Sequence, residues 1–210
     1  MKIGIIGSGN VGGALGTGWS RAGHEVIFSS RNPQSKEMKE LVAKAGPRAT
    51  AAATADAARA ADVVLLATPW GAAEQAVRSA GDLKGKVLID AVNPLLPDLS
   101  GLTLGTTTSA GEQVAQWAPG AKVVKAFNTV GSNIMADSRF ANGRVVLFYC
   151  GDDADAKKTV HQLVADLGFE AIDAGPLKQA RLLEPFALLW ISLAFQGGFG
   201  REIGFEFLRR

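Results

Sequence analysis

The spacing in this sequence that most clearly carries chemistry is Gly7-Ser8-Gly9-Asn10-Val11-Gly12. It follows an apolar run directly and reads G-x-G-x-x-G, with a physical reason for each glycine. Gly7 permits a tight turn, Gly9 lets the backbone approach a pyrophosphate without an intervening side chain, and Gly12 allows a helix to pack closely on a sheet. A helix starting here turns unpaired N–H groups and a partial positive charge toward phosphate. The pattern predicts a dinucleotide site built from Gly7, Ser8, Gly9, Asn10, Val11 and Gly12.

The end of the second apolar run selects the dinucleotide. A site for NAD places Asp or Glu there, about 20 residues on, to accept from the ribose hydroxyls. This chain has Ser29-Ser30-Arg31-Asn32 instead, with Lys36 nearby. A carboxylate would repel a 2′-phosphate, whereas a guanidinium forms paired, charge-assisted hydrogen bonds with it. The expectation is NADP, with Arg31 as selector and Ser30, Asn32 and Lys36 around it.

Three further loops leave strands at their carboxyl ends, where open α/β sheets bind ligands. Ala67-Thr68-Pro69-Trp70 and Ala91-Val92-Asn93-Pro94 each place proline directly after a polar residue, which favours extended backbone. Phe127-Asn128-Thr129-Val130-Gly131-Ser132 is the third. Thr68, Pro69, Trp70, Val92 and Asn93 are expected to line the nicotinamide ribose, and Asn128 and Thr129 to orient the reacting rings.

Acid–base groups are scarce. The two histidines, His24 and His161, lie far apart, with no H-E-x-x-H spacing, and the single Cys150 rules out a Cys-rich zinc site or an internal disulfide. Four residues after the single Tyr149 stands Asp153 rather than Lys, so the Tyr-x-x-x-Lys pair of short-chain dehydrogenases is absent. His24 precedes the second strand, away from its carboxyl end, and His161 falls mid-helix on a solvated face. Lys125 is a candidate proton donor, but within a strand its other role is to pair a carboxylate. No protein-built metal site and no catalytic acid or base are expected. Hydride exchange between two redox-active rings suits such a site, because it demands stacking, distance and orientation while the cofactors carry the electronics.

The elements that position these residues follow from hydrophobic periodicity. Lys2–Ile6, Glu25–Phe28, a short run after Ala49, Val63–Ala67, Lys86–Ile89, Lys122–Phe127, Arg144–Cys150 and Phe169–Asp173 read as strands. Helical patterns cover Val11–Ala22, Gln34–Ala45, the rest of Ala49–Ala61, Ala110–Trp117 and Asp153–Leu167. This alternation implies βαβ units in a Rossmann-type, doubly wound, mainly parallel sheet. Beyond Gly175-Pro176 the chain changes character: Leu177–Phe195 is one apolar helical pattern, followed by a short amphipathic tail. The expected division is an NADP-binding domain over residues 1–175 and a helical cap over residues 176–210. Leu182, Leu183, Phe186, Leu189, Trp190, Leu193 and Phe199 are too many apolar residues for a solvated face, so the cap covers the crevice, joins a homodimer, or both.

Composition sets limits on the partners. With 47% hydrophobic residues among 210, the chain can bury a substantial core, and 22 basic against 20 acidic residues leave no field for nucleic acid or an anionic membrane. The longest nearly apolar run, Phe186–Phe195, is about half of the roughly 20 residues a membrane span needs. MKIGIIGSG lacks a signal-peptide core. A cytoplasmic protein acting on a small-molecule cofactor is the expectation.

Taken together, GIIGSGNVGGALG, HEVIFSSRNP, LLATPW, KAFNTVG, CGDDADAKK, DAGPLKQARLLE and the terminal GFGREIGFEFL resemble the NADPH-dependent reductases of the 5-deazaflavin coenzyme F-420 (hereafter F420). The likeness runs from the first strand to the last residues. The middle is also similar to the cytoplasmic reductase domain of six-transmembrane metalloreductases, which passes hydride from NADPH to a flavin. Those proteins continue into a membrane domain, which is not expected here. The resemblance implies a pyrophosphate loop at Ser8, Gly9, Asn10 and Val11 and a 2′-phosphate clamp at Ser30 and Arg31, extended by Ser35 or Lys36. It places the nicotinamide side at Thr68, Pro69, Trp70, Val92, Asn128 and Thr129. A deazaflavin reductase of this family has histidine where this chain has Asn128, and the flavin-using relatives have asparagine. The second redox partner implied is therefore F420 or a flavin, FMN or FAD. Two rival readings are an imine reductase of the pyrroline-carboxylate type, whose helical domain is normally longer than the 35 residues after Gly175, and a non-catalytic NADPH sensor.

Overall fold

The computed structural model describes all 210 residues. In chain order the elements are β1 (Lys2–Ile6), α1 (Asn10–Arg21), β2 (Glu25–Ser29), α2 (Lys36–Ala45), β3 (Ala49–Ala52), α3 (Thr54–Ala60), β4 (Val63–Leu66), α4 (Trp70–Ser79) and β5 (Val87–Asp90). Then follow α5 (Ala110–Trp117), β6 (Lys122–Lys125), α6 (Ser132–Ala136), the two-residue strands β7 (Arg139–Phe140) and β8 (Gly143–Arg144), β9 (Val146–Gly151), α7 (Ala154–Ala165), β10 (Glu170–Asp173), a 3-10 turn (Leu177–Gln179) and α8 (Ala180–Phe195).

Eight strands form one sheet in the order β10-β9-β6-β5-β4-β1-β2-β3. β1 to β6 are parallel, β9 runs antiparallel to β6, and β10 is parallel to β9. This is the Rossmann-type, mainly parallel, doubly wound sheet. The chain builds outward from β1 to β3, then returns to the other side of β1 with β4, so the crevice beyond the carboxyl ends of β1 and β4 is the switch point where such sheets bind ligands.

Burial explains why the strands read as continuous apolar runs. All four residues of β4 are buried, as a strand covered on both faces must be. One face packs on α1 and α7, where the Trp19 indole N–H donates to the Leu163 carbonyl at 2.9 Å and the ring meets Phe127 edge-on at 5.4 Å. The other face packs on α3, α4 and α5 through Leu66, Val77, Leu88 and Val114.

Several boundaries depart from the sequence expectation for local reasons. The strand expected to reach Phe127 stops at Lys125, because Phe127 adopts a left-handed backbone with φ of 64°. The helix expected from Gln34 starts at Lys36, since the Ser35 hydroxyl accepts from the Met38 N–H and caps it. Trp70 opens α4 rather than lying in its entry loop. Arg144 belongs to the β7–β8 hairpin, not to the strand that follows. The apolar pattern after Pro176 breaks into a 3-10 turn and α8. The tail beyond α8 is extended: the Phe205 carbonyl accepts from the Val146 N–H, and the Phe205 ring packs on Phe186 and that of Phe207 on Phe148. The segment after Gly175 is thus a 3-10 turn, the helix α8 and an extended strap. No helix is long and apolar enough to cross a membrane.

Candidate functional site

The glycine turn sits between β1 and α1, and each glycine has a separate geometric reason. Gly7 has φ of 96°, and a Cβ there would lie 2.5 Å from the Ala67 carbonyl oxygen. A side chain at Gly12 would collide with the Gly7 carbonyl and with Ile5. Gly9 is different: a Cβ there would meet nothing within 4 Å, so the space in front of it is open. α1 has no side-chain cap at Gly9, and its first-turn N–H groups lack intrahelical partners. This is a cradle that suits phosphate oxygens. The Ser8 hydroxyl donates to the Ser29 carbonyl at 3.0 Å and stitches the turn to the end of β2.

The β2–α2 connection is a series of small hydrogen-bonded turns. The Ser30 hydroxyl accepts from the Asn32 N–H at 3.0 Å, and Asn32 Oδ1 accepts from the Gln34 N–H at 3.2 Å. With Ser35 occupied as helix cap, the turn holds Arg31 exposed and free of any carboxylate. Lys36 lies one residue inside α2, exposed, and pairs with Glu40 at 3.8 Å.

On the other side of the switch point the loops after β4, β5 and β6 converge. Asn128 Nδ2 donates to Asn93 Oδ1 at 3.1 Å and to the Leu183 carbonyl at 3.0 Å, while Asn93 Nδ2 donates to the Asn128 carbonyl at 2.9 Å. These contacts fix the amide orientation, since a flipped Asn128 would turn its oxygen toward two acceptors. They leave Asn128 Oδ1 buried without a partner, and the hydroxyls of Thr68 and Thr129 share that condition. Unpaired buried polar atoms are uncommon and call for a cause. Of the six such atoms, Thr17, Ser20 and Asn133 hold three; the other three lie on Thr68, in a loop expected to line the nicotinamide ribose, and on Asn128 and Thr129, in the loop expected to orient the rings, so these residues fit a ligand that brings its own donors and acceptors. The strained backbone of buried Phe127, held from below by Trp19, turns the chain into this arrangement.

Trp70 has another engagement. Its ring stacks on Trp117 at 5.2 Å and packs against the α4–α5 side of the core. Tyr149 contacts His161 Nδ1 through its hydroxyl at 3.2 Å, and His24 pairs with Asp166 at 2.8 Å at the amino end of β2. Tyr149, His161 and His24 are not brought to the switch point. A groove of about 1160 Å³ runs along α1 and is lined by Ser8, Gly9, Asn10, Ser30 and Ser35, but not by Thr68, Asn93, Asn128 or Thr129.

The feature least apparent from sequence is a buried ionic cluster under the crevice. Lys125 is fully buried, and its ammonium meets Asp90 Oδ2 at 2.9 Å, Glu184 Oε1 at 2.8 Å and the Val92 carbonyl. Glu184 also accepts from the N–H groups of Ala110 and Gly111 at 3.0 and 3.1 Å, and Asp90 Oδ1 accepts from the Val92 N–H at 2.9 Å. Burial alone would push the Lys125 pKa down, but Asp90 and Glu184 overcompensate and hold it above the usual lysine value. Removing one partner of such a buried pair costs about 3–5 kcal/mol, because the other charge is left uncompensated. Lys125 was expected either to donate a proton or to pair a carboxylate; it pairs two. The signal that could have located the second was Glu184 itself, the single carboxylate in the apolar pattern from Leu177 to Phe195.

Residues 2–94 match the family model described as "NADP oxidoreductase coenzyme F420-dependent". The F420-dependent NADP reductase of Methanothermobacter marburgensis is 31% identical over 209 residues, covering 92% of both proteins. Metalloreductase STEAP3 of Rattus norvegicus is 31% identical over 188 residues; the match takes in 89% of this chain but only 36% of that longer protein. Among solved structures, one from Arthrobacter sp. FB24, described as an F420-dependent NADP reductase, superposes with a TM-score of 0.89 at 34% identity and full coverage of both chains.

Proposed function

The chain belongs to the F420-dependent NADP oxidoreductase family, and from that premise we propose that it transfers hydride between NADP(H) and F420 at the β1–β4 switch point. The observation that carries this reading is the pairing of an open phosphate cradle at Gly9 with unpartnered buried polar atoms on Thr68, Asn128 and Thr129. NADPH bound there supplies the hydride, and the deazaflavin ring accepts it.

The chain's own residues hold and orient. The Gly7–Gly12 turn and the start of α1 hold the pyrophosphate, with Ser8, Asn10 and Val11 forming the wall. Arg31, with Ser30 and Asn32, receives the 2′-phosphate; Ser35 and Lys36 stand at the base of that turn. Thr68, Pro69, Val92 and Asn93 bound the nicotinamide ribose, while Trp70 stiffens its loop through Trp117. Asn128 Oδ1 is an acceptor with its donors already committed, so it suits a ligand N–H such as a carboxamide or a ring imide. No side chain is asked to move a proton, consistent with a reaction whose demand is alignment.

Residues 1–175 act as the NADP-binding domain. Residues 176–210 form an extension that closes over the ring side of the crevice, and the exposed Leu182, Leu189, Phe195 and Phe199 pair two copies, a state that sedimentation velocity reads directly. The experiment that tests the reading is NADPH-dependent reduction of F420 by purified protein, run beside FMN, FAD and a cyclic imine. Turnover of F420 supports it, and turnover of the imine alone, or binding of NADPH with no acceptor reduced, overturns it.

A further inference from the structure

We infer that Lys125, with Asp90 and Glu184, positions the Asn128 amide, so that α8 sets the alignment of the reacting rings although none of the three residues reaches them. The inference rests on the hydride-transfer reading above. Its basis is connectivity. The Lys125 ammonium joins the end of β5 at Asp90 and Val92 to the end of β6 and to α8 at Glu184. The residue after Val92 is Asn93, and the residue before Glu184 is Leu183. Asn93 and Leu183 are the two acceptors that hold the Asn128 amide, through a side-chain oxygen and a carbonyl.

The cluster has more polar connections than docking a helix would require. Its three charged groups are at most 1% exposed, and apolar side chains of similar volume often hold such an interface equally well or better. Here every ammonium hydrogen has an acceptor, and the surplus negative charge faces the first N–H groups of α5. Such a cluster fixes direction, because its hydrogen bonds are satisfied in one arrangement. The direction it fixes is that of Leu183 and Asn93, hence of Asn128 Oδ1. Beyond α8 the strap adds a second hold on the same loop: Asn133 Nδ2 donates to the Arg201 carbonyl and to Glu202, each at 2.8 Å, and Arg201 donates to the Ser132 hydroxyl at 3.1 Å.

The test is Glu184→Gln, which turns an amide donor toward converging donors, alone and combined with Asn128→Ala. In Glu184→Gln, NADPH affinity should stay within two-fold, since the phosphate cradle is untouched, while the single-turnover hydride-transfer rate falls ten-fold or more. In the Asn128→Ala background the same change should add less than two-fold, whereas a merely structural role would give multiplicative losses. A readout independent of turnover is side-chain amide exchange of Asn128 by NMR, slow in the unaltered protein and at least ten-fold faster in Glu184→Gln. Asp90→Asn, which keeps the acceptor for the Val92 N–H, is the milder variant should Glu184→Gln not fold, with smaller changes in the same direction. Multiplicative losses, or unchanged Asn128 exchange in a folded variant, would overturn the inference. Failure of the unaltered protein to reduce F420 would overturn the hydride reading alone, leaving the exchange measurement to decide the positioning.

Discussion

Asn93 and Asn128 are locked to each other by two reciprocal hydrogen bonds, 3.1 Å from Asn128 Nδ2 to Asn93 Oδ1 and 2.9 Å from Asn93 Nδ2 to the Asn128 carbonyl. The pair bridges the loops after β5 and β6 and leaves one amide oxygen unpaired. Asn93→Ala removes both bonds at once and leaves the Asn128 amide held by the Leu183 carbonyl alone. A net loss of about 1–3 kcal/mol from these contacts predicts that kcat for acceptor reduction falls about ten-fold or more while the NADPH Kd changes little. Steady-state and binding measurements on the same preparation check this; a rise in Kd with kcat intact would place the pair on the binding side instead.

Arg31 is exposed and uncommitted at the end of β2, so its effect should be selective rather than structural. Arg31→Asp replaces a paired phosphate donor with a like charge. Loss of a charge-assisted contact, about 1.5–3 kcal/mol, predicts a ten- to hundred-fold weaker NADPH Kd, a gain for NADH and an unchanged Tm. Titration with both dinucleotides tests it, and an unaltered preference would remove Arg31 from the clamp.

Gly9 and Gly12 should separate binding from folding. Gly12→Ala places a methyl against the Gly7 carbonyl and Ile5, and overpacking of this kind costs about 1–3 kcal/mol, visible as a lower denaturation midpoint. Gly9→Val meets no protein atom near its Cβ, so it should fold with little loss and yet bind NADPH poorly. Equal effects of the two variants on stability and affinity would contradict this division.

How far these features were legible follows from how local their causes are. The glycine turn and the Ser30-Arg31-Asn32 turn are short-range devices, and their residues alone announce them. The β7–β8 hairpin turns at Ala141-Asn142, with Phe140 paired to Gly143 and Arg139 to Arg144, and this pairing draws Arg144 out of the apolar run beside it. Phe127 gave no warning, since a bulky aromatic is among the residues least expected at positive φ. Its conformation is imposed by Trp19 and the Asn128 contacts. The Asp90–Lys125–Glu184 cluster joins three distant segments, and only folding brings the charges together. The extended strap after α8 depends on its backbone bond to Val146 and on the Phe186–Phe205 packing, neither of which has a local period.

Cys150 is buried on β9, and burial pushes its thiol up to about 12. The thiol therefore stays protonated and unreactive in the folded protein. Because the folded-state value lies above the unfolded one, near 9, this contribution to stability is fully present below pH 9 and is lost as pH rises toward 12. Iodoacetamide at pH 8.5 should leave the native protein unlabelled and label it fully in denaturant. The alkaline fall in stability should be shallower in Cys150→Ala. Rapid labelling of folded protein would contradict the burial.

The central claim is direct hydride transfer from NADPH to F420, and an isotope measures it most directly. NADPH carrying deuterium on the transferable face of nicotinamide C4 should deliver it to the deazaflavin ring carbon in a single turnover, with a primary kinetic isotope effect and no exchange with water. Binding of both cofactors without deuterium in the deazaflavin, or deuterium appearing in a cyclic imine instead, would contradict the account.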